Sequence, residues 1–430
     1  MTPSPPLPKS SPRSIPRIAV IGAGPVGLEA ALEAVAHGYD VAVYDAGRTG
    51  EHLRRFDWVT LFTPFAMNSS ARGRGRLAAA GVSLPSADAR QTAGQFVARY
   101  LEPLSRLPEL AGRVHEHARV TAIGREGLFK SDGIVAAGDR ARLGRPFLLR
   151  VEPGEGPARF ERADIVIDAS GVYGSPRATG PSGLPALGEE SLGDLVDRHL
   201  VPIAAGEEAR ARYAGRRVLL VGDGYSAATA LVEFDEIARR GEAARVTWVR
   251  PGAEPPDPFA AMSDDPLAER AALAERANRI ARESSWLVQM PGAVVEAYET
   301  SGGGCRVTLR LPGGDARMVE VDRVLALVGY RPDTAIYREL QIHLCYASEG
   351  PMALASAVLA ASLADPAAGG DCLKQASHGA ETLKNPEPGF YIAGAKSYGR
   401  NPQFLLSLGL RQVLDIMELI EAERGAPAAK

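Results

Sequence analysis

An α/β fold in which one βαβ domain interrupts another is predicted by three observations. An apolar strand, Ile18-Ala19-Val20-Ile21, runs into the glycine turn Gly22-Ala23-Gly24-Pro25-Val26-Gly27. A second, Val218-Leu219-Leu220-Val221, runs into Gly222-Asp223-Gly224-Tyr225-Ser226-Ala227 about two hundred residues later. A Pro/Gly-rich stretch from Gly174 to Gly188 between them reads as a crossover from one domain to the next. The duplication of the βαβ unit supports a nested design: two Rossmann-like dinucleotide-binding domains, the first interrupted by the second and then resumed. The expected divisions are a disordered tail at 1–16, a first domain at 17–172 and 330–425, an inserted domain at 173–329, and a short tail at 426–430.

Composition bounds the classes of function. The 430 residues suffice for two or three domains, and 45% hydrophobic with 23% charged residues describes a globular chain. Lys plus Arg total 49 against 52 for Asp plus Glu, a net charge of -3, so no global field draws nucleic acid or an anionic membrane. No run of about 18 apolar residues exists, which argues against a membrane span. The Pro/Ser-rich start lacks the apolar centre of a signal peptide. Three cysteines with no CxxC spacing fit a reducing cytoplasm.

In the first unit, Leu28, Ala31, Leu32 and Val35 recur at helical spacing, and Val41, Val43 and Asp45 alternate through the next strand. Gly22 permits the tight turn, Gly24 lets the backbone approach a pyrophosphate, and Gly27 lets helix pack on strand. The helix starting near Pro25 turns its unpaired N–H groups toward the phosphates. Asp45, 23 residues beyond Gly22, can accept hydrogen bonds from both adenosine ribose hydroxyls and repels a 2′-phosphate. FAD or NAD therefore fits this turn better than NADP.

The second unit has the same plan, with Gly222, Gly224 and Ala227 in the three fingerprint places and Tyr225 and Ser226 opening the helix. Its next strand, Arg245 to Val249, ends in Arg250 rather than an acid. An arginine there can pair with a 2′-phosphate, which favours NADPH while leaving NADH open; the alternative is a solvated strand-end charge. Two such sites imply one tightly held redox cofactor and one exchangeable reductant.

Further along, Arg119–Ile123 and Phe147–Val151 are short β-like runs, and Ala163 to Asp168 is an apolar strand ending at Ala169-Ser170-Gly171. A final helix is expected from Pro402 to Arg424, capped by Asn401 and closed by Gly425. Its N-terminus, with Gln403 and Phe404, would follow Gly394 at the carboxyl end of a parallel strand and direct its dipole at the pyrimidine end of a flavin. Lys396 could add positive charge there; the alternative for Lys396 and Arg400 is phosphate or surface contact. Cys305 reads as packing in a strand, while Cys372, in a loop beside Lys374, could have a redox role or be inert. The seven histidines show no metal spacing, so no metal site is expected.

These features, with Asp164-Ile165-Val166-Ile167-Asp168-Ala169-Ser170-Gly171 and Val324-Leu325-Ala326-Leu327-Val328-Gly329-Tyr330-Arg331-Pro332, resemble the two-dinucleotide-domain flavoproteins from Arg17 to Arg424. That resemblance implies FAD in the outer domain, NAD(P)H in the inserted one, and crossings at Asp168–Gly171 and Gly329–Pro332, with Gly171 at the flavin site. Phe62 to Ser70, containing Asn68-Ser69-Ser70, is similar to a segment of the flavin-containing monooxygenases, which gives Asn68 candidacy as the residue beside the flavin where oxygen is activated. Two family features depart: the FxGxxxHxxx(F/Y/W/D) fingerprint is missing between Gly174 and Arg217, where only His199 occurs, and Gly394 is followed by Ala395-Lys396 instead of an acid. The segment Lys396 to Leu406 is similar to that of a bacterial branch of such flavoproteins.

The resemblance implies an NADPH-dependent monooxygenase that oxygenates nitrogen or sulfur of a small molecule with O2 through a flavin 4a-hydroperoxide. Phe56, Trp58, Phe62, Phe65 and Met67 would form a dry wall or pack as core. The alternative is a flavin reductase passing electrons to a quinone, a thiol compound or a protein, which the missing fingerprint favours. A non-catalytic NADP(H) sensor is a third class. The absent cysteine pair argues against disulfide reductases, and a homodimer is compatible with this organisation.

Overall fold

A computed structural model describes residues 15–133, 141–252, 257–259, 265–364, 373 and 377–425. Most of the expected N-terminal tail, the C-terminal tail and Cys372 lie outside the described residues, as does part of the loop after Arg250.

Two five-stranded parallel sheets carry the fold. The first runs, edge to edge, Phe390–Ile392, Ile165–Asp168, Arg17–Ile21, Asp40–Tyr44 and Val114–His115. The second runs Leu287–Pro291, Arg245–Arg250, Arg217–Val221, Arg323–Ala326 and Val196–Asp197. Central strands of both read as continuous apolar runs because helices and a second sheet layer cover both faces; Ile18, Ala19 and Val20 are buried, as are Val218, Leu219 and Leu220. The first sheet takes strands from both ends of the chain and the second only from the middle, so one domain interrupts the other as the α/β reading requires.

The duplication extends beyond the βαβ units. After the third strand counted from its glycine-turn strand, each half makes a three-stranded antiparallel sheet, Ala118–Arg125, Phe147–Pro153 and Arg159–Ala163 in the first, and Val294–Ser301, Gly304–Arg310 and Ala316–Val321 in the second. The chain then returns with a strand that pairs in parallel with the opposite side of the glycine-turn strand, Ile165–Asp168 against Arg17–Ile21 and Arg323–Ala326 against Arg217–Val221. The apolar run from Ala163 to Asp168 is therefore broken at Asp164, and its two parts belong to different sheets.

The last helix begins later than its local signals imply. It spans Leu406–Gly425, not Pro402–Arg424, and Asn401 accepts the Gln403 N–H at 3.0 Å in a turn instead of capping it. Tertiary bonds account for the delay: Arg400 donates its N–H to the Ser348 carbonyl at 2.7 Å, and the extended segment after it cannot enter the first turn. This helix packs along Pro25–Ala36 in the core of the first domain, with Val413, Ile416 and Ile420 buried.

Candidate functional site

The first glycine turn is shaped by close approach at two glycines and by openness at the third. Gly22 has φ +102°, and a Cβ there would lie 2.7 Å from the Ala169 carbonyl oxygen. A Cβ on Gly27 would meet the Gly22 carbonyl oxygen at 1.9 Å, but one on Gly24 would meet nothing within 4 Å. Helix Pro25–Ala36 starts at Gly24 with no side-chain cap, so its first N–H groups point into that open space. Asp45 accepts the Ala23 N–H at 2.6 Å and the Gly47 N–H at 2.8 Å. These bonds hold the carboxylate at the strand tip and leave lone pairs on both oxygens for ribose hydroxyls.

A cleft of about 390 Å³ follows from this turn, bounded by Gly22, Gly24, Pro25, Asp45, Gly171 and Gly394, and closed further on by Lys396 and Phe404. Its open cradle, uncapped helix and ribose acceptor fit a dinucleotide. Gln403 is not on its wall.

Lys396 is 1% exposed and pairs with the fully buried Asp168 at 2.7 Å, with Ser170 Oγ at 3.1 Å. Asp168 also accepts the Ser170 hydroxyl at 2.6 Å. A lysine at this depth needs such a partner, because an isolated ammonium would lose its hydration without compensation. The positive charge expected from Lys396 is thus matched by a carboxylate, and the cleft meets a neutral ion pair instead of an isolated cation. The helix dipole enters from Leu406, which lines the cleft with Phe404.

Asn68 ends the short helix Phe65–Asn68 and is buried. Its Oδ1 accepts the Thr63 hydroxyl at 2.6 Å and its Nδ2 donates to the Thr63 carbonyl at 3.0 Å, so both ends of the amide close on its own turn. It is not on the cleft wall. The following Ser70 is clamped by Glu29, which accepts from its hydroxyl at 2.6 Å and its N–H at 3.2 Å. Phe65 packs in the core, while Phe62 meets Tyr225 edge to face at 5.5 Å and Trp58 packs against the second domain's core.

The second turn repeats the first. Gly222 has φ +132°, with the Leu327 carbonyl oxygen 2.3 Å from a Cβ position, whereas Gly224 again faces open space. Helix Tyr225–Arg239 has no side-chain cap, Ala227 is buried in the third place, and Ser226 sits in the first helical turn. Arg250 is only 4% exposed, with its guanidinium 5.3 Å from the Trp248 ring and 3.4 Å from Gln289 Oε1. It is not a solvated strand-end charge.

The sequence reading missed a cluster at the domain junction. Tyr173 and Tyr330, each within two residues of a crossing glycine, stack at 4.3 Å; His199 stacks on Tyr173 at 5.1 Å and bonds Tyr330 Oη through Nδ1 at 3.0 Å. His52 lies 5.7 Å from Tyr173, and His52 and Arg55 belong to the cleft wall. Burial, and next the Arg55 charge, push both imidazoles below their usual pKa. The paired tyrosines after Gly171 and Gly329 were the available signal.

Cys305 is buried in the second antiparallel sheet, its thiol pushed up to about 11 by burial and by Glu320 and Asp322. No group of three or more His, Cys, Asp or Glu able to hold a metal occurs among the described residues, and none of their helices is long and apolar enough to cross a membrane.

No family model and no curated protein matches the chain. Solved structures do resemble it in fold. A bacillithiol disulfide reductase from Bacillus cereus aligns with TM-score 0.65 at 18% identity, over 95% of this chain and 100% of that one. The ornithine N-hydroxylase of Kutzneria sp. 744, solved with reduced FAD, NADP+ and L-ornithine, aligns with TM-score 0.61 at 16% identity, over 96% and 100%. The thioredoxin reductase of T. acidophilum aligns with TM-score 0.56 at 14% identity, over 95% and 98%. The chain therefore has the two-domain Rossmann-type fold that these proteins share.

Proposed function

We propose that this chain is an FAD-holding oxidoreductase that takes its electrons from NADPH. The observation that carries the reading is the pair of uncapped glycine turns, alike in backbone geometry and unlike in the charge that follows: Asp45 beside the first and Arg250 beside the second. The fold shared with a hydroxylase solved with FAD and NADP+ supports it.

In this reading the Gly22–Gly27 turn and the first N–H groups of helix Pro25–Ala36 hold the pyrophosphate, and Asp45 takes the ribose. FAD, when bound, supplies the capacity to accept hydride and pass electrons on. Asp168 and Ser170 hold Lys396 against the cleft, where the pair orients hydrogen bonds without adding net charge. His52, on the cleft wall with its pKa lowered by burial and by the Arg55 charge, can accept a proton at its imidazole. Phe56 packs against Tyr173 at 5.2 Å, next to the cluster at the crossings.

Electron transfer to a small acceptor without oxygenation is the form this chain's own residues favour. Thr63 takes one N–H and one lone pair of the Asn68 amide, and Asn68 is not on the cleft wall, so oxygen activation beside it would require this segment to shift. A dithiol route has no support among the described residues, where Cys305 is packed inside a sheet and no cysteine lines the cleft. Oxygenation of nitrogen or sulfur is the second reading, favoured by the Asn68-Ser69-Ser70 segment. Anaerobic turnover separates them: reduction of a quinone by NADPH at an undiminished rate without O2 supports the reductase, and strict O2 dependence with an oxygenated product overturns it. Purified protein that retains no flavin would defeat both readings.

A further inference from the structure

Beside the nucleotide cleft, and sharing Ser175 and Asp333 with its wall, lies a separate cavity of about 400 Å³. Its lining is mainly polar, and its floor carries an apolar patch of Ile342 and Leu344 backed by the buried Leu340. Its rim is cationic, carrying Lys130, Arg331 and Arg338. Of the two lining carboxylates, Glu349 is set against Arg400 at 2.7 Å, which leaves three cations facing Asp333. Lys130 donates to the Arg338 carbonyl at 2.8 Å, whereas the guanidinium groups of Arg331 and Arg338 have no hydrogen-bond or ion-pair partner among the described residues.

An independent feature belongs to the same lining. Tyr337 is 3% exposed, and its hydroxyl is buried without a hydrogen-bond partner. A buried hydroxyl left unpaired forfeits the bonds it made to water, and a ligand oxygen would restore one. Burial, then the nearby carboxylates of Asp168, Asp333 and Glu349, raise its pKa, so it remains a donor. The Tyr337 ring separates this cavity from Lys396, whose Nζ lies 5.1 Å from the ring centroid.

We infer that this cavity is a binding site for a small organic anion with an apolar body, held by Arg331 and Arg338 through a carboxylate or phosphate group and by the Tyr337 hydroxyl. Guanidinium groups bind either head group through paired N–H donors, and the floor takes a short hydrocarbon or ring. The inference rests on the proposed function only in taking the neighbouring cleft as the FAD site; binding itself needs no turnover.

Isothermal titration of the FAD-loaded protein with octanoate, octyl phosphate and the neutral octanamide provides the test. Octanoate or octyl phosphate should bind at least about tenfold more tightly than octanamide, and Arg331→Ser/Arg338→Ser should remove most of that preference. Which head group binds better distinguishes carboxylate from phosphate ligands. Both arginines are exposed, so the variant should keep its melting temperature. Tyr337→Phe keeps the ring and should weaken the anion about threefold or more. Equal binding of octanamide, no binding of either anion, or affinities unchanged in the arginine variant would overturn the inference. Failure of NADPH to reduce the flavin, with anion binding intact, would overturn the proposed function and leave this site standing.

Discussion

Residue-scale chemistry decides which cofactor each turn can accept. Arg250, held against Trp248, has the charge to bind a 2′-phosphate. Arg250→Gln should lower kcat/KM for NADPH by about tenfold or more and change NADH by less than about threefold, as steady-state kinetics with both nucleotides would read. An equal loss with both would deny the arginine this role. The Lys396–Asp168 pair is the other residue-scale test. Lys396→Met leaves a buried carboxylate unpaired and should cost about 3–5 kcal/mol in urea unfolding, while adding Asp168→Asn should recover much of that loss. Asp168 was legible only as the end of an apolar strand, and Lys396 only as a possible cation. Their partnership joins residues 228 apart in the chain, and no local pattern predicts it.

At the scale of elements, the glycine turns separate fold from ligand. Gly27→Ala drives a Cβ into the Gly22 carbonyl and should fail to give stable protein, whereas Gly24→Ala meets open space. The Gly24→Ala chain should therefore fold with a melting temperature near that of the parent yet lose most of its flavin, measured as the absorbance ratio of purified protein. Retained flavin in that variant would place the dinucleotide elsewhere. Both βαβ units were legible because their signals are local: apolar strand, glycine spacing, amphipathic helix. The last helix was misjudged for the complementary reason. Asn401 and Pro402 form a good local start, but the Ser348 bond to Arg400 is long-range and delays the helix to Leu406.

Across the whole molecule, a buried ion cluster fastens the interrupted first domain. Glu387, before the last strand, pairs with Arg125 at 2.7 Å and Arg142 at 2.9 Å and accepts the Gln341 N–H at 2.8 Å. Burial alone would raise its pKa, but the bonds from Arg142, Arg125 and Gln341 outweigh it and hold the carboxyl below its ordinary 4.5. A depressed folded pKa contributes stability that is present above the unfolded value and lost as pH falls through the folded one. The urea midpoint should accordingly drop on acidification below about pH 4.5, and Glu387→Gln should be less stable at pH 7 with a flatter profile there.

What the sequence determined by itself was the α/β class, the two glycine turns and their unlike charges, each encoded within a βαβ unit of some thirty residues, and the nesting, which follows from where the two units lie in the chain. What only the tertiary structure decided was the surroundings of those turns. It paired Lys396 with Asp168, closed the Asn68 amide onto Thr63, stacked Tyr173, Tyr330 and His199 at the crossings, and opened the cationic cavity at Arg331 and Arg338. Each of these depends on segments far apart in sequence meeting at one place, and the energy of a buried charge or amide is set by the partner it meets there.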